Sequence, residues 1–311
     1  MKQKYNPNFK KKKKAEPEVT QPRTLSKTIQ WFPGHMTAAK RQIAKDLSLV
    51  DLAIELCDAR IPISSRNPQI KEILGGKPSL LLMNKSSLAD PEICEKWRNY
   101  YKNRGQQVLF IDSITGKGLS DIVPAIYEML KEKLERFENK GMKGRFPRVM
   151  IIGITNVGKS TLINKLCGSS RLKAEDRPGV TRENKWVTIG KTVDLLDTPG
   201  ILWPKFEDEN TGLKLAYTGA IRDEILDIEE IAVKLCGELY EKYPELLCER
   251  YKLEKDELCE LMPYEIFEKV GRARGFLISG GEVDYLRTAK MLLCEFRAGT
   301  IGKISLELPK I

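Results

Sequence analysis

Short apolar runs alternate with longer amphipathic stretches between residues 28 and 205. The runs have the length and nearly unbroken apolar character of buried strands. They lie near residues 51–57, 79–83, 107–111, 148–152, 186–190 and 192–197. Because the stretches between them can form helices, the pattern predicts an α/β domain with a mostly parallel sheet covered by helices on both faces.

The pattern changes to helical spacing from about Thr211. Residues 221–251, 265–275 and 285–297 are each expected to be helical. The core positions expected in the first of them are Ile225, Ile228, Ile231, Val233, Leu235, Leu239 and Leu246. We therefore predict a small all-helical domain over residues 206–311. A candidate RNA-binding face of this domain, or simply solvated charge, is formed by Arg272, Arg274, Arg287, Lys290, Arg297 and Lys303.

The first 27 residues differ from the rest in charge. The 311-residue chain has a net charge of +10, and this segment contributes +7 of it. It has almost no apolar content, which predicts a disordered basic tail. Such a tail can grip RNA phosphates or can simply keep the protein soluble.

The seven cysteines form no C-x-x-C pair and no zinc-binding spacing. No stretch has the length of a membrane span, and the N-terminus lacks the apolar core of a signal peptide. We therefore expect a reduced, cytoplasmic protein without a membrane partner, and a monomer.

A phosphate-binding loop of the form G-x-x-x-x-G-K-S occupies residues 153–160. It follows an apolar strand and precedes a helical pattern, which is the context this motif requires. Glycine lets successive N–H groups turn toward phosphate. Lys159 is expected to reach the outer phosphates, and Ser160 to bind Mg²⁺. The predicted nucleotide-binding residues here are Asn156, Val157, Gly158, Lys159, Ser160 and Thr161.

A second motif, Asp-Thr-Pro-Gly at residues 197–200, begins with the acidic residue that ends the last predicted strand. The carboxylate of Asp197 can hold Mg²⁺ opposite Ser160, and the Gly200 N–H can bind a terminal phosphate. Between the two motifs, Thr181 is the candidate switch threonine that the metal and the last phosphate would order. The alternative is an ordinary loop threonine.

Two loops nearer the N-terminus have the character of a base-binding site. Asn84 and Lys85 follow one buried strand, and Ser113 and Ile114 follow the next. The Lys85 stem can stack on a base, and Asn84 can connect the base loop to the phosphate loop. The N–H of Ile114 is placed to read guanine O6. These base-binding loops precede the phosphate loop, whereas ordinary GTPases have the reverse order. The order therefore predicts a circularly permuted GTPase.

From about residue 28 to its end, the chain resembles the ribosome biogenesis GTPase A family, circularly permuted GTPases of bacterial large-subunit assembly. The segments that carry the resemblance are I-Q-W-F-P-G-H-M at 29–36, D-A-R-I-P at 58–62, S-S-R-N-P at 64–68, D-R-P-G at 176–179 and D-T-P-G-I-L-W-P-K at 197–205.

The resemblance implies a GTP-hydrolysing assembly factor that uses GTP, GDP and Mg²⁺. Its partner would be a large-subunit precursor, both rRNA and ribosomal proteins, bound in the GTP state and released on hydrolysis. Asn156 resembles an asparagine that helps to bind K⁺ in cation-activated relatives. Two alternative functions are a constitutive RNA-binding scaffold that hydrolyses little GTP and an ATP-dependent metabolic enzyme. The permuted order of the motifs argues against the metabolic enzyme.

The catalytic set is predicted to be His35, Lys159, Thr181 and Gly200. Ile201 stands where many GTPases place a water-orienting glutamine. The resemblance instead implicates His35, the single histidine of the chain, on a loop before a helix that is expected to start near Thr37. His35 can alternatively contact RNA or cap that helix.

The guanine box departs from the usual Asn-Lys-x-Asp, because Ser87 stands where the base-reading aspartate belongs. Asp90 in a shifted register is an alternative, although it precedes Pro91 and resembles a helix cap. A hydroxyl lacks the charge and the second oxygen of a carboxylate. We therefore expect GTP to be preferred over ATP by a narrower margin, and Ser87→Asp to tighten guanine nucleotide binding.

Overall fold

The computed structural model describes residues 35–142, 144–168, 185–190, 192–198 and 208–309. Side chains are described from residue 41 onward, except for those of Lys185 and Asp197. The predicted basic tail, residues 1–27, lies outside the described residues.

A six-stranded sheet forms the centre of the first half of the chain. Its strands are β1 Leu52–Asp58, β2 Ser79–Asn84, β3 Val108–Phe110, β4 Arg148–Gly153, β5 Lys185–Ile189 and β6 Val193–Asp197. Their order in the sheet is β3-β2-β1-β4-β6-β5, and every neighbouring pair is parallel except β5 and β6. The six predicted strands and the mostly parallel sheet are confirmed.

Helices cover both faces of this sheet. In the first half of the chain they are α1 His35–Asp46, α2 Gln69–Leu74, α3 Pro91–Lys102, α4 Ile122–Asn139 and α5 Lys159–Leu166. Neighbouring residues of a strand point to opposite faces. Ile54 accordingly belongs to an apolar cluster with residues of α4 and α5, whereas its neighbour Ala53 packs with residues of α1 and α2. Trp97 of α3 packs with Cys57, which lies on the same face of β1 as Ala53.

The α3 helix begins as the sequence predicts. The Asp90 carboxylate accepts hydrogen bonds from the N–H groups of Glu92 at 2.9 Å and Ile93 at 3.3 Å, and Pro91 occupies the first turn. This is a side-chain N-cap. Asp90 is therefore engaged at the helix end.

The last third of the chain is helical. Its helices are α6 Glu209–Tyr217, α7 Ile228–Lys242, α8 Pro244–Tyr251, α9 Pro263–Ala273 and α10 Tyr285–Ala298. Of the predicted core positions, Ile231, Leu235 and Leu239 are buried, and Ile228, Val233 and Leu246 are half-buried. None of the helices in the described ranges is both long and apolar enough to cross a membrane.

The prediction that Ile225 belongs to the core is wrong, because 49% of this residue is exposed. Ile225 lies in a short 3₁₀ turn, Asp223–Ile225, that ends before α7 begins. The helical spacing from which its burial was inferred therefore does not extend to it.

The segment after α10 returns to the sheet-containing half. The N–H of Leu306 donates to the carbonyl of Arg60 at 2.8 Å, and the N–H of Ile304 donates to that of Leu88 at 3.0 Å. The indole N–H of Trp97 donates to the carbonyl of Glu307 at 3.0 Å. The end of the predicted helical domain is thus bonded to the α/β domain.

The Glu307 side chain is a buried carboxylate at this junction. It accepts hydrogen bonds from the N–H of Ile63 at 2.5 Å, from the N–H of Ser64 at 3.1 Å and from the Ser64 hydroxyl. Lys214 of α6 lies 3.6 Å away. One side chain therefore satisfies backbone donors of the α/β domain and pairs with a cation of the helical domain.

We predict that Glu307→Ala lowers the free energy of unfolding by about 2–4 kcal/mol, because the buried N–H of Ser64, the part-buried N–H of Ile63 and the Lys214 ammonium lose their acceptor. Urea denaturation provides the measurement. Glu132→Ala is the matched control, because Glu132 makes only an exposed ion pair with Arg136, and we expect a change below about 0.5 kcal/mol. Equal effects of the two substitutions would contradict the role given to Glu307.

Candidate nucleotide-binding site

The predicted nucleotide-binding loops meet at one edge of the sheet. Strands β1, β2, β3, β4 and β6 are mutually parallel, so their carboxyl ends lie on the same side. From β1 the chain continues to β2 and β3 on one side, and it returns to β4 on the other. Ligands of open α/β sheets bind at such a switch point.

The phosphate loop connects β4 to α5, and both of its glycines are required by close contacts. A Cβ on Gly153 would approach the carbonyl oxygen of Leu56 to 2.5 Å. Gly158 has φ +102°, and a Cβ there would lie 2.5 Å from Nδ2 of Asn84. The loop thus lies directly against the end of β1 and against the base loop, with the N-terminus of α5 behind it to attract an anion.

Lys159 is buried with its ammonium inside this loop. Its Nζ donates to the carbonyl of Gly153 at 3.1 Å and to that of Ile154 at 2.7 Å. Ser160 and Thr161 follow in the first turn of α5, and both are half-buried. The arrangement holds one positive charge and two hydroxyls where a phosphate chain and its metal would lie.

The Asn84 side chain joins three predicted site loops. Its Nδ2 donates to the carbonyl of Val157 in the phosphate loop at 2.8 Å. Its Oδ1 accepts from the N–H of Ser113 at 3.0 Å and from the Ser113 hydroxyl at 2.8 Å. Asn84 is 2% exposed. Both base loops and the phosphate loop are therefore fixed to one buried amide.

Lys85 extends this connection. Its Nζ donates to the carbonyl of Asn156 at 3.0 Å and pairs with the carboxylate of Asp58 at 3.1 Å. Lys85 and Asn156 have φ values of 59° and 54°, in the left-handed region, which asparagine tolerates and which is unfavourable for lysine. Because the ammonium is held, the stem is the part of Lys85 left to face a base.

Asp58, at the end of β1, is a buried anion between two cations. Arg60 donates to it through Nε at 3.0 Å and through Nη2 at 2.8 Å. Burial raises the pKa of this carboxyl, but Arg60 and Lys85 outweigh burial and hold the pKa well below its usual range. Asp58 thus remains charged and fixes the Lys85 ammonium.

The Ser87 hydroxyl donates a hydrogen bond to Oδ2 of Asp112. The other oxygen of Asp112 accepts from the N–H groups of Ile114 at 2.9 Å and Thr115 at 2.8 Å. The Ile114 N–H, predicted to read guanine O6, is therefore engaged within its own loop, and a base oxygen would share or replace that bond. Asp112 is a residue that the sequence prediction of the site missed.

The pKa of Asp112 follows from these contacts. Burial raises it, but the hydrogen bonds from Ser87, Thr115 and Ile114 outweigh burial, and the pKa is lower than its ordinary value. An ionised carboxylate therefore lies directly behind Ser87.

The phosphate loop also contacts the helical domain, which the sequence did not predict. The Thr155 hydroxyl donates to the carbonyl of Ala220 at 2.5 Å, and Nδ2 of Asn156 donates to that of Gly219 at 2.8 Å. Both acceptors lie just after α6. The predicted phosphate-binding loop is thus hydrogen-bonded to the helical domain.

Four predicted site residues lie wholly or partly outside the described residues: Thr181, Gly200, the side chain of Asp197 and the side chain of His35. The Asp197 backbone ends β6 and is in register with Ile151 of β4. Ser160 follows β4 and Asp197 ends the neighbouring strand, so the two residues predicted to bind Mg²⁺ come to the same edge of the sheet.

His35 is the first residue of α1, two residues earlier than the expected start near Thr37. The expectation that His35 lies on a loop before the helix is therefore wrong. Its side chain lies outside the described residues.

Known proteins resemble this chain over most of its length. A family model described as 50S ribosome-binding GTPase matches residues 148–249. Ribosome biogenesis GTPase A of Bacillus licheniformis is 47% identical over 91% of this chain and 99% of its own length. The protein of the same name from Priestia megaterium is 50% identical over 91% of this chain and 97% of its own.

The fold has a solved counterpart as well. The crystal structure of GNP-bound YlqF from T. maritima superposes with a TM-score of 0.61, at 27% identity, over 88% of this chain and 99% of that one. The sheet and the loops at its carboxyl edge are therefore those of a circularly permuted GTPase. The length and the identity of the match to its curated relatives show that the chain belongs to the ribosome biogenesis GTPase A family.

Proposed function

We propose that this protein is a Mg²⁺-dependent GTPase that acts in assembly of the large ribosomal subunit. The observation that carries the proposal is the Asn84 side chain, which fixes the base loops to a phosphate loop of the GTPase type. The family membership supplies the biological setting. Ser160, Thr181 and Asp197 would hold the metal, which neutralises developing phosphate charge during hydrolysis.

The nucleotide site is coupled to the helical domain in this proposal. Thr155 and Asn156 bond the carbonyls of Ala220 and Gly219 from within the phosphate loop. A change in the loop on nucleotide binding or hydrolysis therefore reaches the helical domain directly. We propose that the GTP state favours binding to a subunit precursor and that hydrolysis favours release.

The helical domain and the basic tail would supply the contacts to rRNA. Of the six candidate basic residues, Arg274 pairs with Glu295 at 3.0 Å and Arg297 pairs with Asp223 at 2.8 Å. These two are engaged in holding the protein together. The remaining candidates for phosphate contact are Arg272, Arg287, Lys290 and Lys303.

Hydrolysis is proposed to depend on His35 and to be stimulated by the subunit. Asn156 is the proposed potassium-binding residue. Its side-chain oxygen is the atom suited to a cation, because the amide nitrogen is a hydrogen-bond donor and donates to the carbonyl of Gly219. Comparison of GTP turnover in KCl and in NaCl tests this role.

A residue of the phosphate loop provides the first test. Lys159→Ala should weaken GTP binding by at least about 100-fold, because it removes the cation from the centre of the loop. Calorimetric titration with GTP measures the effect. Lys131→Ala is the control, because Lys131 is an exposed lysine on α4. Unchanged GTP affinity in folded Lys159→Ala would contradict the proposed site.

His35→Ala tests catalysis. GTP binding and subunit binding should stay near wild type, and subunit-stimulated hydrolysis should fall about 100-fold or more, because imidazole orients or deprotonates the attacking water. Turnover and co-sedimentation with large subunits are measured on the same preparation. Loss of subunit binding with turnover preserved would make His35 a docking residue. Wild-type protein that sediments with subunits but barely hydrolyses GTP would favour the scaffold alternative.

Deletion of residues 1–27 tests the tail. Binding to subunits should weaken, and its dependence on salt should become shallower, because fewer phosphate counterions are released. Basal hydrolysis should not change. Binding measured across a series of KCl concentrations gives the slope, and identical slopes with and without the tail would leave solubility as its role.

A further inference from the structure

The guanine-reading position of this chain carries a hydroxyl with a carboxylate behind it. We infer that Asp112 supplies the negative charge that selects guanine, and that it acts through the Ser87 hydroxyl. The inference rests on the proposed function as a guanine nucleotide enzyme. Asp112 would be a positioning residue, and Ser87 the group that touches the base.

The direction of the hydrogen bond between the two side chains follows from the other contacts of Asp112. An ionised carboxylate only accepts hydrogen bonds. Its Oδ1 already accepts from the N–H groups of Ile114 and Thr115, and its Oδ2 faces Ser87. The single hydroxyl hydrogen of Ser87 must therefore point to Asp112.

A hydroxyl fixed in this way presents only lone pairs to a ligand. Guanine offers two donors at this edge, N1–H and the 2-amino group. Adenine offers an acceptor at N1 and has no 2-amino group. Ser87 can therefore accept from guanine and cannot donate to adenine, and the charge behind it strengthens the accepted bond.

Burial decides between an indirect and a direct role for Asp112. Asp112 is 3% exposed, whereas Ser87 is half-buried. A base in the site would reach the serine oxygen before it reached the carboxylate. The other acidic candidate, Asp90, is occupied as the N-cap of α3.

This arrangement reverses the effect that the sequence alone suggests for Ser87→Asp. The new carboxylate would lie against Asp112 without a proton between the two. Like charges at such a distance force one group to stay protonated or drive the two apart. We therefore expect Ser87→Asp to weaken guanine nucleotide binding, although it restores the usual residue.

The first decisive variant is Asp112→Asn. The amide oxygen is required by the N–H groups of Ile114 and Thr115, so the amide nitrogen would face Ser87 and donate to it. The Ser87 hydrogen would then turn toward the base. Guanine has a donor at position 2, whereas xanthine has an oxygen there, so the preference between the two bases should change.

Affinities for GDP and for xanthosine diphosphate are measured by competition against a fluorescent guanine nucleotide. In Asp112→Asn we expect GDP affinity to fall about tenfold and the ratio of GDP to xanthosine diphosphate affinity to shift toward xanthosine. Ser87→Ala should also bind GDP more weakly than wild type, but without the shift of the affinity ratio toward xanthosine diphosphate. A ratio that stays at the wild-type value in Asp112→Asn would overturn the inference, even if both affinities fall.

The second decisive variant moves the carboxylate from position 112 to position 87. Ser87→Asp combined with Asp112→Asn places one carboxylate at the base and an amide behind it. We expect this double variant to bind GDP at least about tenfold more tightly than Ser87→Asp alone. If Ser87→Asp alone binds GDP more tightly than wild type, or if the second substitution gives no rescue, Asp112 does not act at the base.

An exposed pair of the same residue types provides the matched control. The Ser120 hydroxyl donates to Asp121 at 3.1 Å, and both residues are exposed. Asp121→Asn removes the same charge and should leave the affinities for GDP and xanthosine diphosphate unchanged.

Failure of wild-type protein to bind GDP would refute the proposed function. Normal GDP binding by wild-type protein, together with an unchanged ratio of the two affinities in Asp112→Asn, refutes only this inference. If Asp112→Asn does not fold, wild-type GDP affinity in Ser87→Ala overturns it.

Discussion

The structure depends on one buried amide, the side chain of Asn84. An amide has both donors and acceptors, and this one uses both kinds toward different loops. It donates to Val157 in the phosphate loop and accepts twice from Ser113 in the second base loop. The same amide leaves no room for a side chain at position 158. Motifs that lie far apart in the sequence, and in permuted order, become one site because this contact closes between them.

A second buried connection joins the site to the helical domain through charge. Arg60 is 1% exposed, and its desolvation is offset by the Asp58 carboxylate and by the carbonyl of Phe296 at the C-terminal end of α10. A helix C-terminus carries partial negative charge and favours a cation. Because Asp58 also holds Lys85, the position of this predicted base-binding lysine depends on the position of α10. A buried ion pair adds little net stability, but loss of one partner is costly, so the pair fixes geometry more than it strengthens the fold.

Local patterns predicted the parts of the structure that local physics decides. Apolar runs gave the six strands, and an acidic residue before a proline gave the cap of α3, because strand burial and capping depend on neighbours in sequence. The pattern failed at Ile225, where a short 3₁₀ turn precedes the helix. It also gave no sign of the Glu307 junction or of the Asn156 contact with Gly219, which join residues 244 and 63 positions apart. Asp112 stands in a predicted base loop, but its contact with Ser87 joins residues 25 positions apart, which no local pattern reports.

The permuted order has a physical consequence for how the site communicates. The base loops precede the phosphate loop, so the chain that leaves the phosphate half continues into the helical domain. The phosphate loop bonds the turn after α6, and Arg60, two residues beyond β1, bonds the end of α10. The returning segment 301–308 then adds backbone hydrogen bonds from the helical side to Arg60 and Leu88. The helical domain is thus bonded both near the base loops and at the phosphate loop of the same site. A movement of the phosphate loop must therefore either break its hydrogen bonds to Gly219 and Ala220 or move the helical domain. Movement of the helical domain would in turn strain the bond between Arg60 and the end of α10.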